Sequence, residues 1–151
     1  MIEITVGRGD EPEALELVAA MEAWVADGFG PTTPDRTSTV APSEMVPPGG
    51  AFVLVREDGR PAAGGGIRRL ADGVCEIKRM YVVPEARGRG HGRRLLEALE
   101  RVAADLGYRR VRLDTAQSMT TAMALYESAG YRPIPDYNGN TYASFWGEKE
   151  L

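Results

Sequence analysis

The chain has 151 residues, 43% hydrophobic and 26% charged, the profile of one globular domain and not of a disordered or fibrous chain. A net charge of -4 gives no electrostatic footing for nucleic acid, and the single Cys75 excludes an internal disulfide and, with one His, makes a poor set of zinc ligands. No apolar run reaches the length of a membrane span, and Met-Ile-Glu-Ile-Thr-Val at the N-terminus lacks the basic and apolar regions of a signal peptide. The expected protein is cytoplasmic, without metal, membrane or nucleic-acid partner; a homodimer is left open.

Ile2, Ile4 and Val6 alternate with polar residues, the pattern of a half-buried strand. Asp10 with Glu13 reads as a capping box for a helix whose inner face is Ala14, Val18, Met21 and Val25, with Gly28 as the stop. Residues 29–50 hold five of the 10 prolines and read as irregular, with a short helix near 43–46; such a segment is either a binding loop or lid, or a plain surface loop. Three strands then follow, 51–56, 62–70 and 74–83, joined by turns at Asp58-Gly59 and Asp72-Gly73. Gly64-Gly65-Gly66 in the second of them predicts a bulge or a close contact.

Leu95, Leu99, Val102 and Leu106 mark the core face of a helix ending at Gly107. A strand over 109–115 follows, then a helix capped by Ser118 with Ala122, Leu125 and Ala129 inward. Strands over 131–134 and 142–148 flank Asn138-Gly139, a strong hairpin signal. The order βα, loop, βββ, α, β, α, ββ is a mixed α/β domain.

The most informative stretch is Val82-Val83-Pro84-Glu85-Ala86-Arg87-Gly88-Arg89-Gly90-His91-Gly92-Arg93-Arg94. A β-branched run ends at proline, and a turn with glycine at every second position feeds a helix. Glycines let the backbone approach a ligand closely, while the first amides of a helix are unpaired and sit at its positive end. Together they make a cradle for phosphate or pyrophosphate. A Walker loop needs Gly-Lys followed by Ser or Thr, which is absent, and the dinucleotide fingerprint needs a third glycine where Arg93 stands.

The stretch resembles the signature of the GNAT superfamily of N-acetyltransferases, [Gln/Arg]-x-x-Gly-x-[Gly/Ala], at Arg87-Gly88-Arg89-Gly90-His91-Gly92. Leu125-Tyr126-Glu127-Ser128-Ala129-Gly130-Tyr131 is similar to the family's Leu-Tyr-x-x-x-Gly-[Phe/Tyr], Val82-Val83-Pro84 to the approach to its loop, and the element order matches. The resemblance implies a single GNAT domain over residues 1–151, with a mixed, mostly antiparallel sheet splayed at the CoA-binding strand and flanked by helices. It implies acetyl-CoA as co-substrate, with pyrophosphate on the amides of Arg87, Gly88, Arg89, Gly90, His91 and Gly92 and the pantetheine arm along the backbone of Met80, Tyr81, Val82 and Val83. Arg93 and Arg94 either meet the nucleotide phosphates or are solvated helix arginines. Many relatives carry Asn where this chain has Met119, so that contact is lost or replaced by Ser118 or Thr120.

Acetyl transfer to a primary amine, by direct attack in a ternary complex, is the activity the resemblance implies. An alkyl ammonium titrates near ~10, so something must take its proton at neutral pH. Glu76, eleven positions before Arg87, matches the spacing of the family's general-base glutamate. Its alternatives are an ion pair with Lys78 or an anchor for the substrate ammonium. Strand alternation predicts Glu76, Lys78, Met80 and Val82 on one face. Tyr126 matches the family's tyrosine that protonates the leaving thiolate, and an amide of Val82 or Val83 the group that polarises the thioester carbonyl. His91 is expected exposed or beside the cofactor, not as a base. Asp136–Asn140 with Trp146 is either a wall of the acceptor site or an ordinary polar turn. Glu44, Glu76, Asp114 and Asp136 lean the acceptor towards a small cationic amine. A non-catalytic acyl-CoA sensor and an O-acyltransferase are the alternatives.

Overall fold

The computed structural model describes residues 1–29, 40–116 and 119–151. Strand β1 spans Ile2–Gly7 and helix α1 spans Pro12–Phe29, one residue beyond the glycine expected to stop it. The capping box does not form. Asp10 binds the Arg8 guanidinium at 2.9 Å, Glu13 pairs with Arg56, and Pro12 starts the helix where its missing amide is no loss. Of the irregular segment, 30–39 lie outside the described residues. The rest contributes one 3-10 turn, Pro42–Glu44, in place of the short helix expected near 43–46, and sends Val40 and Met45 into the core.

Strands β2 (Ala51–Glu57), β3 (Arg60–Ala71) and β4 (Val74–Val82) form an antiparallel meander. Asp58 and Gly59 adopt φ of 51° and 81°, the left-handed pair of a two-residue hairpin. The triple glycine is a contact zone: a Cβ on Gly64 would lie 2.3 Å from a Leu17 methyl of α1, and one on Gly65 3.1 Å from a Leu99 methyl in the opposite layer. Helix α2 (His91–Asp105), strand β5 (Arg110–Thr115), helix α3 (Thr120–Ser128) and the short strands β6 (Arg132–Pro133) and β7 (Phe145–Glu150) complete the chain. Ser118 lies outside the described residues; Met119 holds the cap position of α3 and makes no side-chain bond there.

The seven strands run in the order β1-β2-β3-β4-β5-β7-β6, and only β4 and β5 are parallel. This is the mixed, mostly antiparallel sheet the sequence implied. One face packs Val53, Val55, Ile67, Ile77 and Leu113 under Leu95, Leu96 and Leu99 of α2 and Tyr126 of α3. The other packs Phe52, Leu54 and Tyr81 against Ala14 and Leu17 of α1. Strand β1 is a sheet edge, and its apolar residues are not half-buried: Ile2, Ile4 and Val6 are 39%, 41% and 59% exposed. Their neighbours Val55 and Val53 are covered, so the layer over this face ends before the edge. Leu106, past the end of α2, is likewise exposed.

Strands β4 and β5 pair only from Val74 to Glu76, opposite Arg110 to Arg112, and then part. A bulge sits beside this opening. Tyr81 faces Gly64 but Lys78 faces Gly66, so β4 carries an extra residue, and Arg79 takes a φ of 62°. The bulge overturns the uniform alternation expected of β4. Met80 and Val82 pack with Ile77 on the α2 side, while Tyr81 and Val83 face α1. Glu76 and Lys78 therefore lie on the face opposite Met80. The Asn138-Gly139 hairpin is also corrected. β6 and β7 are joined by a long loop in which Asp136 Oδ1 accepts from the amides of Asn138 (2.9 Å) and Gly139 (2.7 Å).

Candidate active site

A cavity of about 650 Å³ lies where β4 and β5 part, between the glycine loop, the start of α3 and the later turns of α1. The loop arrives from β4 through a 3-10 turn, Pro84–Ala86, and Gly88 and Gly90 take φ of 80° and 81°. That left-handed pair turns the backbone so that α2 begins at His91 with nothing capping it. The first main-chain bond there runs from the Arg94 amide to the Gly90 carbonyl. The amides of residues 88–93 thus have no main-chain partner among the described residues, and Gly88, Gly90, His91, Gly92 and Arg93 line the cavity. Free amides at a helix start, with the dipole behind them, favour an anion.

Strand β4 supplies the adjoining wall. The Val83 amide is spent on the Ala62 carbonyl at 2.9 Å, and Val83 does not line the cavity. That bond makes Ala63 and Val82 a non-hydrogen-bonded pair, so the amide and carbonyl of Val82 point away from β3 into the opening. Of the two amides considered for a carbonyl, only that of Val82 faces the cavity. The Val82 carbonyl accepts from Arg87 Nε at 3.0 Å, while the Arg87 guanidinium lies 4.5 Å from the Trp24 ring and 5.6 Å from that of Tyr81. Met21 and Trp24 of α1 complete this wall.

Tyr126 lines the opposite wall, only 6% exposed. Its hydroxyl donates to the Met80 sulfur, a weak acceptor, at 3.8 Å. Burial, with the Asp114 charge adding to it, raises its pKa above that of an ordinary phenol. The proton therefore stays on the oxygen at neutral pH. Met119, Thr120 and Thr121 stand at the same mouth.

The remaining expected residues separate. Arg93 lines the cavity and binds Ser128 at 2.6 Å; Arg94 does not, and holds the Arg89 carbonyl at 2.7 Å. Of the two places expected for His91, it is not exposed but lines the cavity, with its side chain buried against Glu57. Arg89 points away from the cavity, also to Glu57, at 2.6 Å. Cys75 is buried as expected, and its thiol is pushed up to about 12 by burial.

Glu76, expected as general base, is placed otherwise. It is 0% exposed and absent from the cavity lining. Oε1 accepts from Arg68 Nε at 2.8 Å, Oε2 from the Tyr137 hydroxyl at 2.6 Å and Asn138 Nδ2 at 3.1 Å, and Lys78 Nζ stands 3.7 Å away. The bulge puts Glu76 on the face opposite Met80, where the loop from the C-terminal strands closes over it. Asn138 is the hub of that loop: Nδ2 also reaches Asp114, and Oδ1 accepts from Trp146 Nε1 at 3.0 Å. The sequence reading took Asn138 as a turn former or part of an acceptor-site wall; a half-buried amide with four partners gives no signal in the order of residues. It also missed Trp24, although its spacing from Met21 places it on the inner face of α1.

Comparison with known proteins bears on the whole arrangement. The sequence model of the Acetyltransferase (GNAT) family matches residues 17–131. The chain belongs to this family. An uncharacterized N-acetyltransferase of Escherichia coli, YjgM, is 38% identical over 94 residues, 60% of this chain and 55% of that protein. The chain thus spans about half the length of the curated relative it matches. Two solved structures share the GNAT fold: an acetyltransferase of Staphylococcus aureus Mu50 (TM-score 0.78, 16% identity, 99% of each chain) and the PaiA N-acetyltransferase of Thermoplasma acidophilum in complex with coenzyme A (TM-score 0.72, 17% identity, 100% of this chain and 99% of that one).

Proposed function

We propose that this GNAT chain transfers an acetyl group from acetyl-CoA to a primary amine of a small molecule, by direct attack in a ternary complex. One observation carries the reading: three kinds of group with no strong hydrogen-bond partner among the described residues meet in one cavity, namely the loop amides, the Val82 amide and the Tyr126 hydroxyl. The first suits a pyrophosphate, the second an amide or thioester carbonyl of the pantetheine arm, the third a sulfur. The coenzyme A complex of the Thermoplasma relative supports the same ligand.

In the reaction the amine nitrogen forms a bond to the thioester carbonyl carbon and the carbon–sulfur bond breaks. Tyr126 gives its proton or a hydrogen bond to the departing sulfur; the Val82 amide stabilises the carbonyl oxygen as charge develops on it. The amine's surplus proton goes to water, because no carboxylate lines the cavity among the described residues. Glu76 serves by holding the loop that carries Tyr137 and Asn138. The lack of a carboxylate in the cavity among the described residues disfavours O-acylation, whose hydroxyl needs stronger activation. It also keeps one second reading alive, a non-catalytic acyl-CoA sensor.

Thiol release from acetyl-CoA across a panel of small amines, beside CoA binding by calorimetry, tests the reading. Binding with turnover supports the enzyme, binding without turnover the sensor, and no binding refutes both.

A further inference from the structure

We propose that Glu57, outside the glycine motif, is a positioning residue that sets the shape of the phosphate-binding loop through Arg89 and His91; this rests on the acyl-CoA reading above. Four side chains close a ring around Gly90. Glu57 Oε2 accepts from Arg89 Nη1 at 2.6 Å and lies 3.3 Å from His91 Nε2. His91 Nδ1 lies 3.4 Å from Arg94 Nη1, and the same Nη1 donates to the Arg89 carbonyl at 2.7 Å. An arginine only donates, so this arrangement assigns the lone pair to Nδ1 and an N–H to Nε2, aimed at Glu57. The imidazole has no exposed surface and both nitrogens in use.

Glu57 is the last residue of β2, beside the tight Asp58-Gly59 turn, so its position is fixed by the sheet. The ring refers the loop to that fixed point. Without the carboxylate, the buried His91 N–H and the Arg89 guanidinium lose their acceptor on either side of Gly90, whose φ of 81° sets the direction of the free amides. Neither Glu57 nor Arg89 lines the cavity, so the pair acts on shape and not by touching the ligand.

The sign of the effect separates positioning from simple electrostatics. Removing a negative charge near an anion site, and freeing Arg89, would tighten an anionic ligand if charge were all that mattered. Positioning predicts the reverse. Calorimetry on the full chain with CoA, and with pantetheine, which lacks the pyrophosphate and nucleotide, reads this directly. Glu57→Gln is expected to raise the CoA Kd about tenfold and to leave pantetheine within about twofold. His91→Gln, which removes the acceptor facing Arg94, is expected to act in the same direction. Tighter or unchanged CoA binding in Glu57→Gln overturns the proposal. So does an equal loss for both ligands, which would mark general loosening. A wild-type chain that bound pantetheine but not CoA would overturn both this and the acyl-CoA reading.

Discussion

Replacing Glu76 with Gln separates a structural carboxylate from a general base. The wild-type side chain is fully buried and takes three donors, Arg68 and Tyr137 and Asn138, with Lys78 at 3.7 Å. Gln keeps the shape but turns one acceptor into a donor. If its NH2 faces Arg68, two donors meet. If it faces the other side, Tyr137 can rotate to accept, but Asn138 Nδ2 cannot. Either way one charge-assisted bond is lost and a buried donor is left over, together worth about 3 kcal/mol. For a domain of this size, that lowers Tm by roughly 6–12 °C at about 2–4 °C per kcal/mol. The assays are thermal unfolding and the pH dependence of acetyl transfer. The account expects a lower Tm and an unaltered shape of the pH profile. A Tm within about 2 °C of wild type, with kcat down ~100-fold and the acid limb gone, would refute it and restore Glu76 as the base.

Three further outcomes follow from the same geometry. With no carboxylate in the cavity among the described residues, kcat/KM for an amine is expected to rise about tenfold per pH unit from pH ~6 to ~8, following the free amine, in initial-rate assays at low amine; a plateau at neutral pH would point to a protein base. Glu148 is held below the usual carboxylate range by Arg112 first and also by Arg132. A depressed folded pKa stabilises above the unfolded value and the effect is lost as pH falls through the folded one, so Glu148→Gln should cost about 1–3 kcal/mol at pH ~7 and progressively less as pH falls below ~4 in denaturant titrations. Gly64→Ala places a Cβ 2.3 Å from a Leu17 methyl and should destabilise by about 1–3 kcal/mol in the same assay.

The fold was largely legible because its signals are local. The hairpin at Asp58-Gly59, the glycine loop and the periodic face of Leu95 and Leu99 each depend on neighbours within a few residues. What failed depends on tertiary placement. Ile2, Ile4 and Val6 alternate as a covered strand does, but the sequence does not say that β1 is an edge beyond the helical layer. Asp10 and Glu13 have the spacing of a capping box, yet Arg8 and Arg56 compete for them and win. At the site, Tyr126 and most loop residues line the cavity as the motifs implied. Glu76 does not, and one bulge residue, Arg79 at a φ of 62°, breaks the period of two on which its side was reckoned. A bulge inside an otherwise regular strand leaves no mark in alternation until the register is seen.

The central claim is that one cavity holds acetyl-CoA and that Tyr126 acts on its sulfur. Single-turnover acetyl transfer by Tyr126→Phe, with the CoA Kd and Tm of the same variant, tests it most directly. Among the described residues the Tyr126 hydroxyl bonds only to the Met80 sulfur, at 3.8 Å, so its removal should leave Tm and the Kd nearly unchanged. The transfer rate should fall about 100-fold, or ~2.7 kcal/mol of transition-state stabilisation. A rate equal to wild type, with binding intact, would contradict the account.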